Sequence, residues 1–454
     1  KLDDEGREIS IETDSEFDAH SSLQTIDNTN GNDITTSDTE LHNGYTFKID
    51  YVHPFNSAIP DKKNLLEFGI LDKQHGHGTE FSYQKSGSIN FDYDFNHSRS
   101  ILATYVDVTY YINPELGFKF GTRFEKSIRI FNANSFQIED DNTDFAVFMI
   151  NQNLENDSLN KSYSTIYPSL FFNYNLKEKG NIKFGFGRRV ERPGDWALAP
   201  VPHDFAEEDQ LRIGNPTINP EDILKYEVSY SNRLKIGFLT SSLFFTSIKD
   251  AFDWDMDTYK QNDDGTFIQN NSCITDCHYV LSYDNLAETT EFGVELFLMT
   301  RPYNWWDLKI GGDISFSNLS SKADVEGTVE SDQNGNITST SFFTSSTFTI
   351  KDHLKLDMNT WMWMTELTDG KIHPMHSTDL ALKYDFLNKF SFIFKINDLF
   401  DSRKFSIETA SQYNLVEVLY TDLMDYERQR NGRNLVMSFE YRFGDYKENK
   451  FKRG

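Results

Sequence analysis

Between residues 117 and 130 the chain alternates, position by position, between two kinds of side chain, and no other feature of the sequence constrains the fold as tightly. The even positions are Phe118, Phe120, Thr122, Phe124, Lys126, Ile128 and Ile130, and the odd ones are Gly117, Lys119, Gly121, Arg123, Glu125, Ser127 and Arg129. Successive side chains on a strand point to opposite faces, so one face here is mainly apolar and the other charged or small. The split recurs in Leu224, Tyr226, Val228 and Tyr230 against Lys225, Glu227 and Ser229. It recurs again in Leu435, Met437, Phe439, Tyr441 and Phe443 against Val436, Ser438, Glu440 and Arg442. Apolar residues at helical spacing are almost absent, which predicts an all-β chain.

Composition decides what the apolar face meets. Aromatic residues make up 15% of the chain, with 39 Phe and 22 Tyr, yet only 38% of it is hydrophobic and 25% is charged. A soluble β-protein would gather so many rings into continuous apolar runs. A transmembrane barrel places them at alternate positions towards lipid and turns polar residues to the lumen. No apolar run approaches the 18 or so residues that a spanning helix needs, so any membrane crossing uses strands. The opening Lys1-Leu2-Asp3-Asp4 carries no signal segment, which for an exported barrel reads as a mature chain or a fragment. The formal charge of −27 argues against a nucleic-acid partner, because phosphate binding needs a basic footprint. It reads first as a solvated surface, with cation binding by outer loops as the alternative.

Connections between the alternating runs sort by length. Short ones are 113–115, 178–179, 233–234, 303–304 and 387–388, and long polar ones are about 137–160, 192–221, 251–276, 321–339 and 401–432. Short turns on one side and long loops on the other describe an outer-membrane barrel, with outer-membrane lipid as its surroundings. The pattern predicts about sixteen antiparallel transmembrane strands. They lie near 5–17, 42–54, 63–74, 88–112, 115–136, 161–177, 180–191, 222–232, 235–250, 277–302, 305–320, 340–350, 354–366, 376–386, 389–400 and 433–444. Residues 27–40 form a polar Asn/Asp/Thr segment, and Trp305 and Trp306 with Trp361 and Trp363 suit an aromatic belt at the membrane interface.

Few residues read as chemistry. P-loop, Gly-x-Ser-x-Gly, His-Glu-x-x-His and Rossmann glycine patterns are all absent, so neither an enzyme nor a cofactor is expected. His75 and His77 flank Gly76, but two histidines without a third ligand nearby read as solvated loop residues. Asp253, Asp255 and Asp257, followed by Asp263 and Asp264, offer hard oxygens for calcium, although the spacing is not that of an EF-hand and equally describes a solvated strand end. The same holds for Glu207, Glu208 and Asp209. Cys273 and Cys277 could be a zinc pair, free thiols or a small disulfide loop; export favours the disulfide, which would pin the tip of the 251–276 loop. In the 192–221 loop, Pro193, Pro200, Pro202, Pro216 and Pro220 favour one ordered path folded over the lumen. Its Trp196, His203, Phe205 and Arg212 are the side chains of a candidate ligand site, set against the alternative that they only pack the loop on the wall.

Several segments, in this order, resemble the outer-membrane β-barrel family of TonB-dependent receptors common in Bacteroidota. They are FKIDYVHPF at 47–55, LLEFG at 65–69, GTRFE at 121–125, YPSL at 167–170, RRVERP at 188–193, GNPTINPE at 214–221, FGVE at 292–295, NDLF at 397–400 and YRFG at 441–444. Where the family usually has Leu-Lys before the Pro-Glu, this chain has Ile218-Asn219. The resemblance covers roughly residue 42 to the end. It implies a cylinder of about 22 strands around an N-terminal plug that contacts TonB, so the plug and about six strands are expected ahead of Lys1. It further implies the outer membrane of a Gram-negative bacterium and import of a specific ligand energised through TonB; a surface lipoprotein lids some relatives, and the sequence carries no sign of one for this chain. A passive porin, or a barrel serving adhesion or assembly, is the alternative. A plug-like region upstream, or loss of uptake without TonB, would separate the two.

Overall fold

The computed structural model describes residues 6–443 except 27–32, 56, 58, 86–88, 139–144, 146–147, 150–157, 200–201, 208–209, 263–264, 271–276, 322–334, 368–369, 387–388, 416–417, 430–431 and 442. In chain order the strands are β1 (Glu8–Ile26), β2 (Ile34–Phe55), β3 (Asn64–Lys85), β4 (Ile89–Tyr111), β5 (Leu116–Ile138), β6 (Ser158–Asn175), β7 (Asn181–Glu191), β8 (Pro202–Glu207), β9 (Gln210–Ile213), β10 (Glu221–Leu234) and β11 (Gly237–Gln261). They continue as β12 (Phe267–Gln269), β13 (Cys277–Tyr303), β14 (Trp306–Ser321), β15 (Gly335–Lys351), β16 (Leu354–Leu367), β17 (Gly370–Phe386), β18 (Phe390–Asn397), β19 (Lys404–Leu415), β20 (Val418–Gln429) and β21 (Asn434–Tyr441).

Of these, β8, β9, β12, β19 and β20 belong to loops. The remaining sixteen pair antiparallel, each with the next along the chain, from β1 through β7, then β10, β11, β13 to β18, and β21. The wall thus contains the expected crossing strands in the expected order. Among the described residues, no pairing joins β21 back to β1, and each keeps one free edge.

Alternation and register together assign the two faces. On β5, Phe120 and Phe124 are 47% and 48% exposed towards the outside, whereas Glu125 is only 4% exposed. The outward side continues through Val106 and Leu102 on β4 and Phe68 and Ile70 on β3, all exposed, and forms a lipid-facing belt. Inside, Lys119 reaches Glu67 and Asp107 at 3.1 and 3.3 Å, pairing charges across neighbouring strands.

Three expectations need correction. Many strands are much longer than the apolar pattern indicates: β2 starts at Ile34, so residues 34–40 are strand, and β3 runs to Lys85. At about 3.3 Å per residue, 22 residues reach well past a hydrocarbon layer about 30 Å thick. Above that layer both faces meet water, the alternation disappears, and polar strand looks like loop. For the same reason the expected 401–432 loop contains the paired strands β19 and β20, and part of the 251–276 loop is the continuation of β11 with β12. Finally, Trp361 and Trp363 do not join a lipid belt. Trp361 pairs with Phe343, on the face opposite to outward-facing Phe342, and carries the Arg403 guanidinium over its ring at 5.9 Å. Trp305 and Trp306 do stack beside the short turn, with Tyr303 and Phe348. Turn 387–388 and most of the 137–160 and 321–339 loops lie outside the described residues.

Candidate functional site

Residues 192–221, linking β7 to β10, are laid down on the inner side of the wall. After Pro193 the chain forms a one-turn helix, α1 (Asp195–Leu198), then β8 and β9, and β9 runs parallel to β13 at Tyr279 to Leu281. Asn215 closes the following turn by accepting from the Thr217 amide at 2.8 Å, a side chain mimicking a backbone turn. The Gly214 and Asn215 amides donate to the Ala199 and Ala197 carbonyls at 2.8 Å each, so the loop's two limbs brace each other. Beneath, Ala197, Leu198 and Ile218 bury themselves against Tyr283 of β13 and Phe252 of β11.

The lumen faces of β3 to β5 hold the other side. On β5, Arg129 donates to the Pro216 and Ile218 carbonyls at 2.9 and 2.7 Å, and Glu125 pairs with Arg192 and Arg123. Arg99 on β4 donates to the Pro193 carbonyl at 3.1 Å. Inward-facing charges, which look like ordinary lumen lining in the sequence, serve here as backbone anchors for one loop.

At the centre lies a histidine cluster. Cross-strand register sets His42 on β2 directly opposite His77 on β3, and His77 opposite His97 on β4. The His42 and His77 rings stack with centroids 4.2 Å apart. Asp195 of α1 meets this row: His75 Nε2 lies 2.8 Å and His97 Nδ1 3.1 Å from its carboxylate, with His77 Nδ1 at 3.5 Å and Arg99 at 3.9 Å. Burial alone would raise the Asp195 carboxyl, but the facing imidazoles of His77, His97 and His75 outweigh it and hold the group well below the usual carboxylate range. His77 is 5% and His97 3% exposed, so the expectation of solvated loop histidines is overturned for His77. His75 and His77 sit within β3, and their missing partners come from β2, β4 and α1. Two overlapping ligand sets result, Glu40 with His42 and His77, and His42 with His75 and Asp195, and within each the donor atoms lie within 4.8 Å of one another.

The other sequence candidates are more scattered. Arg212 is exposed on β9, while the side chains of Trp196, His203 and Phe205 lie outside the described residues, as do those of Asp253 and Asp255. Asp257 accepts from Gln269 Nε2 at 2.6 Å, which ties β11 to β12. Asp263, Asp264, Glu208, Asp209 and Cys273 lie outside the described residues, as does the side chain of Glu207. Cys277, at the start of β13, is disulfide-bonded.

The sequence profile of the Outer membrane protein beta-barrel family matches residues 1–441. Among solved structures, the ferric yersiniabactin uptake receptor FyuA from Yersinia pestis is 12% identical at a TM-score of 0.59, over 95% of this chain and 58% of that one. The ferric citrate transporter FecA in its unliganded form is 13% identical at a TM-score of 0.57, over 95% and 59%. FpvAI in complex with pyocin S2 is 11% identical at a TM-score of 0.55, over 96% and 55%. At these identities the likeness is one of fold. The chain spans just over half the length of these structures. No curated protein sequence matches it.

Proposed function

Because the chain belongs to the Outer membrane protein beta-barrel family, we propose that it is the barrel of an outer-membrane transporter that imports a specific ligand with energy relayed by TonB. The observation that carries this reading is the inward-laid 192–221 loop, a folded structure fixed over the lumen where an open passive channel would need clearance. In this reading strands and a plug beyond these residues complete the cylinder between the free edges of β21 and β1, and the plug contacts TonB. The barrel breaks no bonds. It binds at the extracellular mouth and changes conformation, with Trp196, His203, Phe205 and Arg212 as ligand contacts on the loop. FyuA and FecA are named for ferric yersiniabactin uptake and ferric citrate transport. That supports import as the class of activity here and leaves the ligand open.

Two measurements test the proposal. The full-length protein in a planar bilayer is expected to show no steady conductance, because a plugged barrel is closed at rest; steady ohmic current would make it a porin. In cells, a Trp196→Ala/Phe205→Ala variant is expected to lower ligand uptake while outer-membrane abundance stays unchanged. Normal uptake in that variant would return the loop to a packing role.

A further inference from the structure

We propose that His42, His75 and Asp195, with His77 beside them, form a binding site for a divalent transition-metal ion that staples the 192–221 loop to the barrel wall. Nothing in it depends on the identity of the transported ligand. The donor set is imidazole nitrogen plus one carboxylate, the set that zinc and its neighbours prefer over the all-oxygen shells of calcium and magnesium. Tetrahedral zinc with bonds of about 2.0–2.1 Å sets its ligand atoms about 3.3 Å apart. The pairs across Asp195 bracket that value, at 2.8 Å to His75 Nε2 and 3.5 Å to His77 Nδ1, and the His42, His75 and Asp195 donors all fall within 4.8 Å of one another.

Hydrogen bonding alone accounts for the cluster incompletely. His77 Nε2 lies 2.9 Å from the Thr79 hydroxyl. If that nitrogen carries the proton and donates to Thr79, Nδ1 presents a lone pair to the Asp195 carboxylate. Nδ1 is buried and has no hydrogen-bond partner, although the carboxylate is 3.5 Å away. If Nε2 instead accepts from the Thr79 hydroxyl, Nδ1–H faces the carboxylate without closing a hydrogen bond, so in either tautomer Nδ1 is left unsatisfied, and a cation beside the carboxylate would satisfy its lone pair. The Thr79 hydroxyl on His77 Nε2 and Glu40 Oε2 3.4 Å from His42 Nε2 are the kind of partner that fixes the tautomer of a metal-binding imidazole.

The consequence is linkage. Two of the ligands, His42 and His75, stand on β2 and β3 and the third, Asp195, is carried by the loop, so an ion that binds all three favours the docked loop over any undocked form. The test is a titration of the purified full-length protein with zinc chloride alone against a competing chelator, followed by cobalt substitution. One tight zinc per barrel is expected, with cobalt giving the visible absorption of a tetrahedral nitrogen and oxygen site. His75→Ala and Asp195→Asn should each weaken binding at least about tenfold, since loss of outer-shell partners alone costs about 10- to 100-fold. His53→Ala, on the far part of β2, should leave affinity unchanged, and heat-modifiable gel mobility shows that each variant is folded. No zinc bound by the wild type above the chelator, or tight binding that survives both substitutions in folded protein, would overturn the assignment.

Discussion

Replacing Asp195 with alanine asks whether one carboxylate holds the 192–221 loop in place when no metal is present. The carboxylate accepts from His75 at 2.8 Å and His97 at 3.1 Å. After the substitution His75, whose side chain is 31% exposed, can turn to water, but His97, at 2%, cannot. One buried donor is therefore stranded, at a cost of about 1–3 kcal/mol to the docked state and none to an opened loop in which water reaches the ring. The open population should rise about 5- to 150-fold. The apolar contacts of Ala197, Leu198 and Ile218 with Tyr283 remain, so the barrel should still assemble. Hydrogen exchange on chelator-treated protein in nanodiscs reads the effect at the Ala197, Ala199, Gly214 and Asn215 amides, all bonded within the loop. Their exchange should accelerate by that factor while β10 and β11 stay protected. Unchanged rates at those amides, or equal acceleration in β10, would refute the reasoning.

Phe120→Arg puts a charge on the lipid belt and should cost about 2–4 kcal/mol near the midplane, read as lost heat-modifiable mobility. Gly187→Arg is its lumen-side control, because nothing lies within 4 Å of an added Cβ there, whereas at Gly121 one would collide with Asp107; equal damage from both would count against the face assignment. If Cys273 is the partner of Cys277, the unreduced peptide should run about two mass units below its reduced form, and two thiols alkylated before reduction would exclude the bridge. Asp398, in the turn above β18, is opposed by burial but held below its ordinary value of 3.8 by the amides of Arg403 and Ser402. Its stabilising contribution is present above that pH and fades as the pH falls further, so Asp398→Asn should lower stability at neutral pH and narrow the gap to wild type in acid. A constant difference at every pH would show that the carboxylate's charge is irrelevant.

The membrane-crossing part of the fold was legible because the bilayer imposes a chemical difference between faces, and residues 117–130 record it at every position. Where that difference ends, so does the signal. Residues 34–40, 404–415 and 418–429 are strands, and nothing in their composition distinguishes them from polar loop. Trp361 and Trp363 mislead for a related reason, since an aromatic belt and an aromatic lumen call for the same residues and only the register to Phe343 separates them.

The histidine cluster was hidden by distance along the chain, and the order in which it becomes visible explains why. His42, His77 and His97 align only once two hairpins are in register, and register depends on turns whose exact lengths the sequence leaves open. That step lies within reach of sequence reasoning, because placing the β2–β3 and β3–β4 turns brings the three imidazoles into one row. Asp195 lies beyond such reasoning. It arrives through a loop whose path is fixed by Arg129 on two carbonyls, Arg99 on a third, and an apolar cluster against Tyr283, none of which has a local signature. Which loop residues reach the histidine row is therefore set by which loop the wall can hold. The prolines at 193, 216 and 220 make that choice less costly by narrowing the unfolded loop's alternatives. A variant that relaxes all three should keep its histidines stacked in a row and lose Asp195 from them, separating the part of the site that strand register builds from the part that the loop delivers.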